Sequence, residues 1–228
     1  SRMQTLKPLR TTDGINKGKR GLGKAWLAKD KAHRELLLDC ILKVNYSVQD
    51  FNKTIENGFS GLPKDVVYLI VLADWIRDSY RRIKDCLRDD VANGFAFSDA
   101  AQLDCYWKFF KAIRSAVVAH PVGSSQHRDY GFDGSRICVD IRSKSFLDAF
   151  PMAKLSRLRI GGIEDAEYVR DEDVVLATYS IDFAEEGKLH FQRVCLDMAD
   201  VRDAAELYID ALYELDHYVA GLKMRDFQ

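Results

Sequence analysis

Trp107-Lys-Phe-Phe-Lys-Ala-Ile-Arg114-Ser-Ala-Val-Val-Ala-His120-Pro121 is the stretch on which both the fold and the chemistry turn. Trp107, Phe110, Ile113, Val117 and Val118, with Leu103 and Tyr106 upstream, recur at steps of three and four. That is the spacing of one helical face. It predicts a helix over about 99–119, with Ser98-Asp99 supplying its N-cap. Pro121 stops it, because proline has no N–H and clashes with the preceding turn. Arg114 therefore lies inside the helix and His120 at its exit.

Six residues at about 100° each would put these two side chains roughly 120° apart on a continuing helix. His120 precedes a proline, however, and is pushed out of the α region. Its imidazole is then free to swing back toward Arg114. Arginine offers a planar, permanently charged fork that matches phosphate oxygens. Histidine exchanges a proton near neutral pH. RNA brings its own nucleophile, the 2′-OH, so a cation and a proton carrier suffice without metal. The same residues also have an ordinary reading: a solvated arginine and a histidine that caps helix carbonyls.

Working outward, Trp26, Leu27, His33, Leu37, Cys40, Ile41, Val44, Val48 and Phe51 predict a helix from Gly23 to about Glu56, with a kink or break at Val44-Asn45-Tyr46. A second helix runs from Pro63 to about Asp90; its first half is apolar nearly all round, which makes it central. Asp89-Asp90 then sit at a helix end the dipole disfavours. Residues 121–136 read as a loop. Ile137–Arg142, Asp173–Phe183 and Lys188–Leu196 alternate as strands, and 144–172 reads as irregular, with Asp171-Glu172-Asp173 a solvated turn. A last helix covers about 199–222. The fold class expected is α+β, mainly α. It is a four-helix bundle with a small antiparallel β insertion, at about 137–196, before the last helix. Residues 23–228 make one domain, preceded by a flexible basic arm over 1–22.

Residues 1–24 carry Arg2, Lys7, Arg10, Lys17, Lys19, Arg20 and Lys24 against Asp13 alone, while the whole chain has a net charge of −1. The arm reads either as a solubilising tail or as a segment that grips RNA. Gly18-Lys-Arg-Gly-Leu-Gly23-Lys24-Ala25 has P-loop spacing. Ala25 replaces the Ser or Thr that would hold Mg²⁺, and no apolar strand precedes it. Only the anion-binding character of a basic, glycine-rich helix start remains, with Lys24 as its contact. Five scattered cysteines without a Cys-x-x-Cys pair give neither a disulfide framework nor a zinc site. No apolar run reaches membrane-span length and no signal-peptide core opens the chain, so a cytoplasmic location is expected. No cofactor and no metal are expected.

Arg114, five intervening residues, His120 and Pro121, at the end of a helix in a predicted four-helix set, resemble the motif of the HEPN superfamily. Those are small helical domains, many of them RNases of toxin–antitoxin and antiviral systems. The resemblance covers mainly the third and fourth helices. It implies that Arg114 and His120 form the active pair, and that a homodimer brings two pairs into one cleft. It further implies cleavage to 2′,3′-cyclic phosphate and 5′-OH ends, with an antitoxin as a partner. Ser115, directly after the arginine, stands where active members often carry Asn, Asp or His. His127, Arg128 and Tyr130, in the loop after the motif, are candidate substrate contacts, Arg128 on a phosphate and Tyr130 stacked on a base. The alternative of a different class is a non-catalytic HEPN-like binding or dimerisation module, favoured by Ser115 and the near-neutral charge.

Overall fold

The computed structural model describes residues 6–15, 20–119, 129–132, 137–142, 154–182 and 188–227. Two short 3-10 turns, Gly21–Gly23 and Ala25–Leu27, lead into α1, Lys31–Glu56. The helix starts where Asp30, as N-cap, accepts from the His33 N–H at 2.9 Å. It buries Leu37, Cys40, Ile41, Val44, Val48 and Phe51 along one face and runs unbroken through Asn45. The expected break is absent. The Asn45 side chain accepts from the Thr12 hydroxyl at 2.6 Å instead of competing for its own backbone.

Helix α2, Pro63–Cys86, has proline in its first turn, where the missing N–H costs nothing. It packs on α1, on α4 (Ala100–Ile113) and on α5 (Met198–Gly221). Its all-round apolar first half is thus explained by its central place. It ends earlier than expected, at Cys86, and Asp89-Asp90 open a separate short helix, α3, Asp89–Asn93. Their charges face a helix N-terminus after all. Lys29 pairs with Asp89 at 3.0 Å and Arg88 with Asp90 at 2.7 Å.

The third long helix changes character at its end. α4 gives way to a π-helical turn over Arg114–Ala119. The wider winding shifts the phase of every residue after Ile113 relative to an α-helix.

The five strands are β1 Ile137–Arg142, β2 Lys154–Arg159, β3 Gly162–Asp165, β4 Asp173–Asp182 and β5 Lys188–Asp197, in sheet order β1-β4-β5-β2-β3. The sheet is mixed, because β2 runs parallel to β5, with Leu155 beside Arg193 and Leu158 beside Leu196. This corrects the small antiparallel insertion: two strands occupy the segment read as irregular. Leu158, Val174, Leu176, Val194 and Leu196 join the same hydrophobic core as the helices. Val175 and Cys195 form a small cluster on the opposite face, since alternate strand residues point to opposite sides. On that face the buried Arg157 holds Asp173, which the sequence reading left in a solvated turn.

The N-terminal segment departs furthest from expectation. Where it is described, it is not a free arm. Leu9 and Ile15 are buried, and the Leu9 N–H and carbonyl both bond the Asn52 side chain, at 2.6 and 2.9 Å. The Tyr213 hydroxyl donates to the Thr11 carbonyl at 2.7 Å. The segment straps α1 to α5. Arg10 is engaged as well: it stacks on the Tyr213 ring at 3.6 Å and reaches Asp210 at 3.4 Å. Gly21 adopts φ +61°, and a Cβ there would lie 2.2 Å from Asp216 Oδ1, which accepts the Leu22 N–H. Only glycine fits both demands.

Lys24 Nζ donates to the carbonyls of Val219, Ala220 and Leu222, each at 2.8 Å. It caps the C-terminus of α5, satisfying groups that a helix end leaves orphaned. Lys24→Met is expected to lower stability by about 1–2 kcal/mol, the scale of a cation at a partly buried helix C-terminus. A thermal melt checks this; an unchanged midpoint would contradict the capping role.

Candidate active site

Arg114 is the first residue of the π turn and is exposed, with 55% of its side chain open to solvent. Its Nε lies 3.4 Å from Asp74 Oδ2, and that carboxylate is almost closed off by α2 and its neighbours. The other oxygen, Asp74 Oδ1, accepts from Arg77 Nε and lies 2.8 Å from both Nε and Nη2 of that residue. Arg77 is itself buried. One carboxylate is therefore shared by a buried and an exposed guanidinium. Arg77 also lies 4.0 Å from Asp78 Oδ1, and Arg114 is the outer guanidinium, the one that faces solvent. Among the described residues Asp74 is the ion-pair partner of Arg114. The arrangement holds a charged fork at a fixed point on the surface while leaving it able to take an anion.

Several buried tyrosines and cysteines are held in their protonated forms. Burial pushes Tyr80 up to about 12 and Tyr208 higher still. Burial also pushes the Cys40 thiol to about 11 and the Cys195 thiol to about 12, and raises Cys86, so none of the three is a thiolate nucleophile. Among the described residues no group of three or more His, Cys, Asp or Glu side chains has the arrangement to hold a metal ion.

The other expected site residues fall in different places. His120, His127 and Arg128 lie outside the described residues. Ser115 is buried, with only 7% of its surface exposed. Lys24 is committed to the end of α5 and shares no partner with Arg114. Tyr130 is half-buried and lines a cavity of about 520 Å³ together with Trp107, Lys108, Lys111 and Arg159. That volume is within the usual range of ligand pockets.

Sequence reasoning missed Asp74 and Arg77. Their signal was present: two opposite charges three residues apart, next to the half of the helix that is apolar nearly all round. Charges in that position are buried, and buried charges are paired. It also missed that Trp107 and Lys111 on α4 and Arg114 just past its end, four and three residues apart, follow one helical stripe. Lys111 Nζ sits 4.0 Å over the Trp107 ring.

Among the described residues no helix is long and apolar enough to cross a membrane. Compared with models of protein families, with curated proteins and with solved structures, the chain matches none.

Proposed function

We propose that the chain is a HEPN-type endoribonuclease that needs no metal. In this reading α1, α2, α4 and α5 are the four-helix bundle, and the sheet is an insertion before the last helix. The observation that carries the proposal is the exposed Arg114 guanidinium, anchored through Nε on a buried carboxylate at the helix exit. His120 follows Ala119, the last residue of the π turn.

Arg114 binds the scissile phosphate and neutralises the charge that builds on it in the transition state. His120 takes the proton of the ribose 2′-OH or returns one to the leaving oxygen. The 2′-oxygen–phosphorus bond forms and the phosphorus–5′-oxygen bond breaks. One proton leaves the 2′-OH and one reaches the 5′-oxygen, giving a 2′,3′-cyclic phosphate and a 5′-OH. A homodimer that juxtaposes two such pairs supplies both proton-transfer groups. The setting that fits is a cytoplasmic one, in phage defence or a toxin–antitoxin system with an antitoxin as partner.

Cleavage of single-stranded RNA in EDTA by the full chain tests this. RNA is expected to be cut, and the same oligonucleotide with 2′-O-methyl riboses left intact. Equal cleavage of both would remove the 2′-OH from the mechanism and overturn the reading.

The second reading, a non-catalytic HEPN-like binding or dimerisation module, is favoured by one specific observation. Ser115, the residue after the arginine, is buried. A dimer in solution with no cleavage of any RNA would select it.

A further inference from the structure

The cavity beside Tyr130 has a construction the ribonuclease reading does not use. Its floor is α4, and its opposite wall is the tight turn joining β2 to β3. Two exposed cations, Lys108 and Lys111, line it from α4, and Lys111 is held over the Trp107 ring. Arg159 also lines the cavity but is engaged, with its Nε 2.8 Å from Asp200 Oδ2. Among the described residues Asp129 is the one acid in the lining, against the two lysines. Opposite them, Gly161 and Gly162 present bare backbone. A Cβ on either would meet nothing within 4 Å, and φ +125° at Gly162 demands glycine. The wall therefore leaves room for a flat group to approach the chain.

A cationic rim, an aromatic ring and a glycine wall that admits a plane have one common ligand chemistry: a planar base carrying a phosphate. We propose that this cavity is a nucleotide subsite, in which Tyr130 stacks on a base and Lys108 and Lys111 hold the attached phosphate. The choice of ligand class rests on the ribonuclease reading. The placement supports it, since Lys111 near the end of α4 and Arg114 at the start of the π turn lie three residues apart. Arg114 is about 10 Å along the helix from Trp107. A strand bound at both points passes from the scissile phosphate to the base in the cavity within a few nucleotides. The subsite would then decide which base lies near the cut.

The test is equilibrium binding by the full chain in EDTA, with 3′-AMP, 3′-UMP, adenosine and inorganic phosphate titrated separately. A 3′-nucleotide is expected to bind more tightly than either adenosine or phosphate. Tyr130→Ala and Lys111→Met are each expected to weaken it about fivefold or more, the scale of losing one stacking ring or one phosphate contact. Tyr130→Phe keeps the ring and should restore binding, which separates stacking from a folding defect. No nucleotide binding, or binding indifferent to Tyr130→Ala and Lys111→Met, would overturn the proposal. Binding without cleavage would leave the subsite standing and remove the ribonuclease reading alone.

Discussion

Asp173→Ala is expected to destabilise the protein by about 3–5 kcal/mol, the cost of breaking a buried ion pair from one side. Asp173 Oδ2 lies 2.5 Å from Arg157 Nη2, and the two side chains are 0% and 5% exposed. The same oxygen accepts the Arg170 N–H at 2.7 Å, while Arg157 also donates to the Tyr168 carbonyl at 3.3 Å. The pair therefore does two things: it neutralises a guanidinium beneath the 166–172 segment and pins that segment to the sheet. Removing the carboxylate leaves the guanidinium buried and unpaired, and it also frees a backbone donor. For a chain of this length the loss corresponds to a fall of roughly 10 °C in the thermal midpoint. Replacing both residues together with apolar ones should recover much of it, because no charge is then stranded. A single variant that melts within about 1 kcal/mol of wild type would show that the pair is hydrated or dispensable.

Arg114→Ala and His120→Ala are each expected to reduce RNA cleavage by at least about 100-fold, the usual scale for removing an electrostatic stabiliser or a general acid–base group. Neither change should alter the thermal midpoint much. Arg114 is exposed, and an exposed ion pair is worth about 1 kcal/mol or less. Arg114→Lys is the sharper variant. It retains the charge but not the planar fork, so a large residual defect would show that bidentate phosphate binding is what the position supplies. Asp74 acts through Arg114 rather than on RNA. Its loss would also strand the buried Arg77, so Asp74 variants report on folding as much as on activity.

The long helices were legible because their buried residues recur at three- and four-residue steps: Leu37, Cys40, Ile41, Val44, Val48 and Phe51 on α1, and Val201, Ala204, Ala205, Tyr208, Ile209, Leu212 and Leu215 on α5. β4 and β5 were legible by alternation. β2 was not, since the residue it buries on the outer face is Arg157, and a charged side chain reads as exposed. The N-terminal strap gave no pattern either. It buries isolated apolar residues, Leu9 and Ile15, and its other ties come from Asn52 and Tyr213, far away in the chain. Lys24 illustrates the same limit. Its basic, glycine-rich surroundings suggested an anion site at a helix start, yet the groups it binds are carbonyls at the far end of α5. The π turn has no local signature at all. At the site, Arg114 was legible from its spacing to His120, whereas Asp74 became visible only when α2 was laid against the π turn.

The most direct measurement is the chemistry of the RNA ends made in EDTA, by the wild-type chain and by Arg114→Ala and His120→Ala variants of equal thermal midpoint. The account predicts 2′,3′-cyclic phosphate and 5′-OH ends from the wild type, and almost none from either variant. Cleavage that persists in both variants, or that yields 5′-phosphate ends, would contradict a ribonuclease built on this pair.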